Sequence, residues 1–281
     1  MINDYYKSIL HYTIVGNGIP VILLHGLGCD HRLMTGCMEP IFHKCDGYKR
    51  IYIDLPGMGK SKAPLELGSS DGILEILLSF IADIVKESFL LVGESYGGYL
   101  ARGILSKLSN QINGMALICP VVFPEQSKRD IPKKKVFVAD NNFLKQLSVS
   151  DREMFCEYAV IANKRTYNQY NVDIVPGLNT ADNDFIARLS KHYQFCFDVD
   201  KEIAKLNYKK PVVFITGRQD TCVGYHDLWN LMESYPRATF STLDLAGHNL
   251  QIEQAKLFNC LMANWIDRTK NNLDNAANYE L

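Results

Sequence analysis

Short apolar runs alternate with stretches of helical periodicity along the first 119 residues. Runs of strand length occur at Val21–Leu24, Ile51–Ile53, Phe89–Val92 and Met115–Cys119, and Gly, Pro, Asn or Asp residues separate them from the helical stretches. Between two of them, apolar residues recur every three or four positions from Ile73 to Val85, which predicts an amphipathic helix. Strands and helices that alternate with short links are typical of a mostly parallel central sheet with helices on both faces.

Strand patterns also occur near both ends of the chain. Near the start, residues Ser8–Val15 have strand character, and Gly16-Asn17-Gly18 supplies the positive φ angles of a tight reversal, so the pattern predicts an opening hairpin. Late strands are predicted at Pro211–Thr216 and Thr239–Leu245, followed by a last helix over about Gln251–Asp267.

The strand rhythm disappears between residues 120 and 208, where helical patterns dominate and aromatic residues are dense. This change predicts a helical cap, residues 120–208, inserted into an α/β core made of residues 1–119 and 209–268. The polar residues 269–281 are predicted to form a flexible C-terminal tail.

Composition and charge narrow the classes of partner. The chain has 281 residues, 47% of them hydrophobic, and a formal net charge of −1, so it lacks the overall basic field expected of a nucleic-acid-binding or lipid-surface protein. No basic leader with an apolar core and no run of about 18 apolar residues is present, which predicts a cytoplasmic protein without membrane insertion. The eight cysteines include no C-x-x-C pair, so neither a metal site nor a disulfide framework is predicted.

The sequence Gly93-Glu94-Ser95-Tyr96-Gly97 follows the apolar run that begins at Phe89 and precedes a helical pattern. It fits G-x-S-x-G, in which a sharp turn between strand and helix projects the serine hydroxyl beyond the sheet. Gly93 and Gly97 would let neighbouring backbone approach closely, because they carry no Cβ. Ser95 is therefore a candidate nucleophile.

Two further polar residues follow later strands. Asp220 comes after the strand that ends near Thr216, and His248 comes after the strand that ends near Leu245. Because open parallel sheets react at the carboxyl ends of their strands, we expect both side chains to lie near Ser95. An aspartate after a strand also commonly caps the next helix, which remains the alternative for Asp220.

With its residues in the order Ser, Asp, His, the chain resembles the α/β-hydrolase superfamily from about Ser8 to Arg268. The matching motifs are His25-Gly26-Leu27-Gly28, the D-x-P-G-x-G-x-S loop Asp54–Ser61, Gly93–Gly98, Gly217-Arg218-Gln219-Asp220 and Gly247-His248. The resemblance implies a capped hydrolase that needs no cofactor and acts on esters, thioesters, amides or certain carbon–carbon bonds. Because Ser95 stands where dehalogenases and epoxide hydrolases carry aspartate, the resemblance disfavours those two activities.

The roles of the three residues follow from elementary chemistry. A serine hydroxyl is a weak nucleophile at neutral pH, so His248 would remove its proton while Asp220 holds the imidazole and stabilises its charged form.

A tetrahedral oxyanion needs two fixed donors, and the backbone N–H groups of Leu27 and Tyr96 are the candidates. Gly26 and Gly97 would support these donors, and His25 is expected to brace the loop. Glu94 is expected to pack beneath the site as a polar group, and Cys29 to fill space as a small apolar residue.

The sequence thus predicts a serine hydrolase that cleaves an ester-type bond of a small or medium, largely apolar molecule through an acyl-enzyme. A carbon–carbon bond hydrolase, a lactonase or thioesterase, and a small aminopeptidase would use the same residues and remain open. A ligand-binding protein that kept the fold but lost turnover is the alternative from another class. The sequence leaves the oligomeric state open.

Overall fold

The structure is a computed structural model that describes residues 5–279. Within this range the chain forms nine β-strands: β1 (Tyr12–Val15), β2 (Ile19–Leu24), β3 (Tyr48–Ile53), β4 (Phe89–Glu94), β5 (Ile112–Ile118), β6 (Val138–Ala139), β7 (Ile161–Ala162), β8 (Val212–Gly217) and β9 (Ala238–Leu243). The α-helices are α1 (His31–Phe42), α2 (Ser70–Ile84), α3 (Tyr96–Leu108), α4 (Asn141–Leu144), α5 (Val149–Tyr158), α6 (Lys164–Asp173), α7 (Val175–Leu178), α8 (Asn183–Lys191), α9 (Val199–Ala204), α10 (His226–Trp229), α11 (Leu250–Glu253) and α12 (Ala255–Tyr279).

Seven of the strands form one sheet in the order β1-β3-β2-β4-β5-β8-β9. Only β1 runs antiparallel to its neighbour, and every other adjacent pair is parallel. The inner strands β4 and β8 are buried along their whole length, because helices cover the sheet: α1 packs with α12, and α2 packs with α3. This architecture confirms the predicted fold class.

The opening hairpin is a wrong prediction. Although Gly16 and Gly18 do have positive φ angles, β1 pairs with β3, with Tyr12 opposite Ile53, and β3 lies between β1 and β2. After the crossover through α1, β3 lies parallel to β2, on the side of β2 that faces β1. The connection from β1 to β2 must therefore pass the start of β3. Ile19 accordingly donates its backbone N–H to Gly47 O at 2.8 Å, just before β3.

The last helix is longer than predicted. Instead of ending near residue 267, α12 continues to Tyr279, so residues 269–279 are helical, whereas their flexibility stays a prediction and residues 280–281 lie outside the described range. Long-range contacts anchor the first residues of this extension. Thr269 is buried against Gly114 on β5, and the Asn272 side chain accepts a hydrogen bond from Arg237. These contacts could not be inferred from the polar character of the segment.

Residues 120–208 contain α4–α9, as the helical pattern predicts, together with a two-stranded parallel ribbon formed by β6 and β7. Phe155, Phe185 and Phe195 from this segment are buried, and they account for part of its dense aromatic content. Within the described residues, no helix has the length and apolar character needed to cross a membrane.

Candidate active site

Ser95 occupies a sharp turn between β4 and α3. Its backbone has φ 52° and ψ −113°, a conformation that a non-glycine residue rarely adopts. A Cβ at Gly93 would overlap the backbone of Gly97, and a Cβ at Gly97 would overlap Leu24 O at the end of β2. The two glycines therefore permit the close approach that the sequence predicts, and the turn presents the Ser95 side chain at the carboxyl edge of the sheet.

His248 lies between Ser95 and Asp220. Its Nε2 is 2.9 Å from Ser95 Oγ, and its Nδ1 is 2.9 Å from Asp220 Oδ2. A carboxylate only accepts hydrogen bonds, so Nδ1 carries the proton in the neutral imidazole and Nε2 accepts from the serine hydroxyl. The structure thus brings together three predicted residues that lie up to 153 positions apart in the chain.

Asp220 is fully buried and is held by more than the histidine. Its Oδ1 accepts the backbone N–H groups of Cys222 at 2.8 Å and Val223 at 3.1 Å. Burial alone would raise the pKa of this carboxyl, but the charge and hydrogen bond of His248 and the two backbone donors lower it below the ordinary value of 3.8. Asp220 is therefore ionised near neutral pH and favours a positive charge on the imidazole.

The imidazole of His248 is largely buried. Burial lowers its pKa, but the electrostatic influence of Cys222 and Asp220 and the hydrogen bond to Asp220 together raise the pKa above the ordinary 6.5. The site is consequently built to stabilise an imidazolium, which is the form that a general base reaches after it takes a proton.

The predicted backbone donors are available beside Ser95. Among residues 5–279, no protein atom accepts a hydrogen bond from the N–H of Leu27 or of Tyr96. Gly26, the residue before Leu27, lies against Ser95, since a Cβ on Gly26 would lie 3.1 Å from Ser95 Cβ, and Leu27 lines the same cavity as Ser95. Unpaired backbone donors at a buried site are the groups that an oxyanion would use.

His25 holds the loop that carries Leu27. It is fully buried, its Nε2 accepts the backbone N–H of Leu55 at 3.0 Å, and its Nδ1 is 2.8 Å from Gly26 O. Burial lowers the pKa of His25, so the ring is neutral with its proton on Nδ1. Both ring nitrogens thus form hydrogen bonds with the backbone of the two loops.

Glu94 lies closer to His248 than the sequence indicates. Its carboxyl is buried, lines the cavity above Ser95, and has Oε1 3.6 Å from His248 Nε2. Burial raises its pKa to about 7, against the opposing influence of His248. Its position directly before Ser95 is a sequence signal that it lies near the site. Its ionisation, however, depends on the folded surroundings.

A cavity of about 650 Å³ opens over Ser95, which is an ordinary size for a small-molecule site. Its walls come from the strand ends and from residues 120–208. The apolar and aromatic lining residues are Leu27, Cys29, Leu33, Val121, Pro124, Met154, Tyr158, Tyr170, Ile174, Leu178 and Tyr193. Cys29 is buried here, and burial raises the pKa of its thiol. No sequence pattern identifies the tyrosines as lining residues.

Two groups of three potential metal ligands occur in the described part of the chain, and in each the ligand atoms lie within 4.8 Å of one another. In the first, the Nδ1 atoms of His11 and His31 each lie 2.8 Å from an oxygen of Asp54, which also accepts the N–H groups of His31 and Lys60. The second group consists of Cys119, Asp220 and His248. Hydrogen bonds within the protein account for both carboxylates.

Comparison with known proteins identifies the family. The family model described as alpha/beta hydrolase fold matches residues 19–255, and the chain therefore belongs to the α/β-hydrolase family. A crystal structure of an alpha/beta superfamily hydrolase from Oenococcus oeni PSU-1 is 33% identical, with a TM-score of 0.86 over 94% of this chain and 97% of that one. The AB hydrolase superfamily protein YisY of Bacillus subtilis is 22% identical over 92% of this chain and 97% of its own length.

Two more distant structures share the fold. An esterase from Thermogutta terrifontis is 18% identical with a TM-score of 0.71, covering 92% of this chain and 93% of that one. A meta-cleavage product hydrolase from Pseudomonas fluorescens is 21% identical with a TM-score of 0.66, covering 93% and 95%. At these identities the likeness is one of fold.

Proposed function

We propose that this protein is a serine hydrolase that cleaves an ester-type bond through an acyl-enzyme. The single observation that carries the proposal is the continuous set of contacts from Ser95 Oγ through His248 to Asp220, each of 2.9 Å. Membership of the α/β-hydrolase family supports it.

In the first half-reaction, Ser95 Oγ attacks the acyl carbon while His248 Nε2 takes the hydroxyl proton. Asp220 stabilises the imidazolium that forms. The oxyanion accepts hydrogen bonds from the N–H groups of Leu27 and Tyr96, each contributing on the order of 100-fold to 1,000-fold in rate. The imidazolium then donates its proton to the leaving alcohol, and the acyl group stays on Ser95.

In the second half-reaction, a water molecule donates a proton to His248 as its oxygen attacks the acyl carbon. The same two backbone donors stabilise the second oxyanion, and collapse of this intermediate returns the proton to Ser95 Oγ and releases the acid. The enzyme is regenerated without a cofactor.

The cavity supports a small or medium substrate that is largely apolar. Its volume of about 650 Å³ and its apolar and tyrosine lining favour such a molecule. The helical segment 120–208 supplies Tyr158, Tyr170 and Tyr193, so in this proposal it acts as the cap that sets substrate selection. Carbon–carbon bond hydrolysis, lactone or thioester hydrolysis and aminopeptidase activity use the same residues, and we treat them as further members of the substrate panel.

The test combines covalent labelling with turnover. The purified protein is incubated with a fluorophosphonate probe and, separately, with chromogenic esters of increasing acyl length. We expect labelling and turnover that Ser95→Ala abolishes and Ser106→Ala leaves unchanged, because Ser106 lies within α3 and bonds to Gly103 O. Labelling that survives Ser95→Ala would refute the proposal. A wild-type protein that neither labels nor turns over any member of the panel would also refute it and would favour a ligand-binding role.

A further inference from the structure

Glu253 is a buried carboxylate whose partners belong to two separate parts of the chain. It ends α11, five residues after His248. Its Oε2 accepts the backbone N–H of Gly247 at 2.6 Å, and its Oε1 accepts those of Val160 and Ile161 at 2.6 and 3.0 Å. A buried carboxylate needs such donors to replace its hydration. The side chain therefore links the loop before His248 to residues 160–161 of the helical segment.

The two linked parts are in direct contact beside the cavity. A Cβ at Gly247 would lie 2.9 Å from Val160 Cγ2 and 3.0 Å from Tyr158 O, so the backbones approach as closely as a glycine allows. Tyr158 lines the cavity, and its ring centroid lies 6.5 Å from that of His248. A displacement of residues 158–161 against this loop would therefore move atoms that lie next to the imidazole of His248.

Other contacts on both sides make Glu253 a junction. Arg165, at the start of α6, donates from Nη1 to Ile252 O at 2.8 Å and from Nη2 to Glu253 O at 3.2 Å. Val160 O accepts the backbone N–H of Phe137 at 2.9 Å, which attaches the β6–β7 ribbon to the same point. The helical segment therefore contacts the end of α11 through the Glu253 side chain and through the backbone carbonyls of Ile252 and Glu253.

We propose that Glu253 is a positioning residue that keeps the helical segment and the His248 loop at a fixed separation, so that His248 stays in contact with both Ser95 and Asp220. The effect on turnover rests on the proposed function, whereas the link between the two loops does not. Both contacts of His248 are 2.9 Å long, so a shift of the loop would lengthen at least one of them beyond hydrogen-bonding distance. A misplacement of about 1 Å can cost about 100-fold in rate.

The link needs two acceptor oxygens. Glutamine has nearly the same shape but offers one oxygen and an NH₂ group, which must face either Gly247 N–H or the N–H groups of Val160 and Ile161. Glu253→Gln therefore breaks one side of the link without changing the size of the side chain. Glu253→Asp keeps the charge and both oxygens but reaches about 1.5 Å less far, one C–C bond, and so also fails to serve both sides.

The experiment separates positioning from folding by counting active sites. Reactive Ser95 is titrated with the fluorophosphonate probe, and kcat is expressed per titrated site with a chromogenic ester. For Glu253→Gln we expect kcat per site to fall by about 10-fold to 100-fold with little change in KM. A role in folding alone would lower the number of titrated sites and leave kcat per site unchanged. If Glu253→Gln does not fold, Glu253→Asp replaces it, and we expect the same fall in kcat per site.

Gln254→Ala is the matched control. Gln254 donates to Leu245 O at 3.1 Å, so this variant removes a tether of the same loop that does not reach the helical segment. We expect its kcat per site to remain within about twofold of wild type. A fall as large as that of Glu253→Gln, or wild-type kcat per site in both Glu253 variants, would overturn the proposal.

Hydrogen exchange tests the link without using activity. In Glu253→Gln, amides of residues 158–161 and 245–248 should exchange faster together, whereas Gln254→Ala should affect only the second group. If the wild-type protein proved to lack hydrolytic activity, the proposed function would fail while this result could still hold. Unchanged exchange in both groups in Glu253→Gln would overturn the link itself.

Discussion

Replacing Glu94 with glutamine should change how the stability of the protein depends on pH. Glu94 is buried beside His248, and its folded-state pKa of about 7 lies above the ordinary value of 4.5. The folded state therefore binds more protons than the unfolded state between these two pH values. The contribution of this carboxyl to stability is greatest below pH 4.5 and is lost as the pH rises through about 7, because the carboxyl must then ionise in a buried site.

The size of the effect follows from the two pKa values. One pKa unit corresponds to about 1.36 kcal/mol, and with folded and unfolded values of about 7 and 4.5 the linkage between pH 5 and pH 8 amounts to about 2.5 kcal/mol. Glutamine has a similar shape and does not ionise. Relative to wild type, Glu94→Gln should therefore gain about 2 to 3 kcal/mol of unfolding free energy between pH 5 and pH 8.

Urea denaturation at pH 5 and pH 8, followed by the fluorescence of buried Trp265, measures the difference. Glu157→Gln is the matched control, because this exposed carboxyl lines the same cavity. We expect its stability relative to wild type to be the same at both pH values. The reasoning would be refuted if the stability of Glu94→Gln relative to wild type were also the same at pH 5 and pH 8.

Three further substitutions have defined outcomes. Asp220→Asn should lower kcat by about 10⁴-fold with saturating ester, because the amide no longer fixes the Nδ1–H tautomer of His248; a loss below tenfold would contradict the assigned role. Gly57→Ala should lower the unfolding free energy in urea by about 1 to 3 kcal/mol, since φ is 75° and the added Cβ would overlap the buried Phe185 ring; unchanged stability would contradict it. Asp54→Asn should cost about 1 to 3 kcal/mol in the same assay at pH 7, because an amide accepts fewer of the four donors around this carboxylate; equal stability would show that these hydrogen bonds contribute little.

The elements that carry the candidate site were predictable because their signals are local. Phe89–Val92 is an apolar run short enough to be a strand, and the glycines on both sides of Ser95 mark a turn where backbones approach closely. Asp220 and His248 each follow a buried run in the same way. Once the sheet is taken as parallel, the carboxyl ends of these strands must share one edge, so the proximity of the three residues follows from topology.

Strand neighbours and segment ends were not predictable in this way. The turn at Gly16–Gly18 has the expected positive φ angles, yet β1 pairs with β3, because the crossover through α1 inserts β3 between β1 and β2. The polar extension after residue 268 becomes helical where Thr269 packs against Gly114, a partner 155 positions earlier in the chain (269 − 114).

By itself, the sequence determined the fold class, the sharp turn at Ser95 and the residues that meet there, because apolar periodicity and glycine spacing act over a few neighbouring positions. Tertiary structure alone decided which strands pair, that Glu94 faces His248, which tyrosines line the cavity and that Glu253 joins two loops. Each of these depends on atoms brought together from distant parts of the chain by packing, and burial then changes the ionisation of the groups that meet.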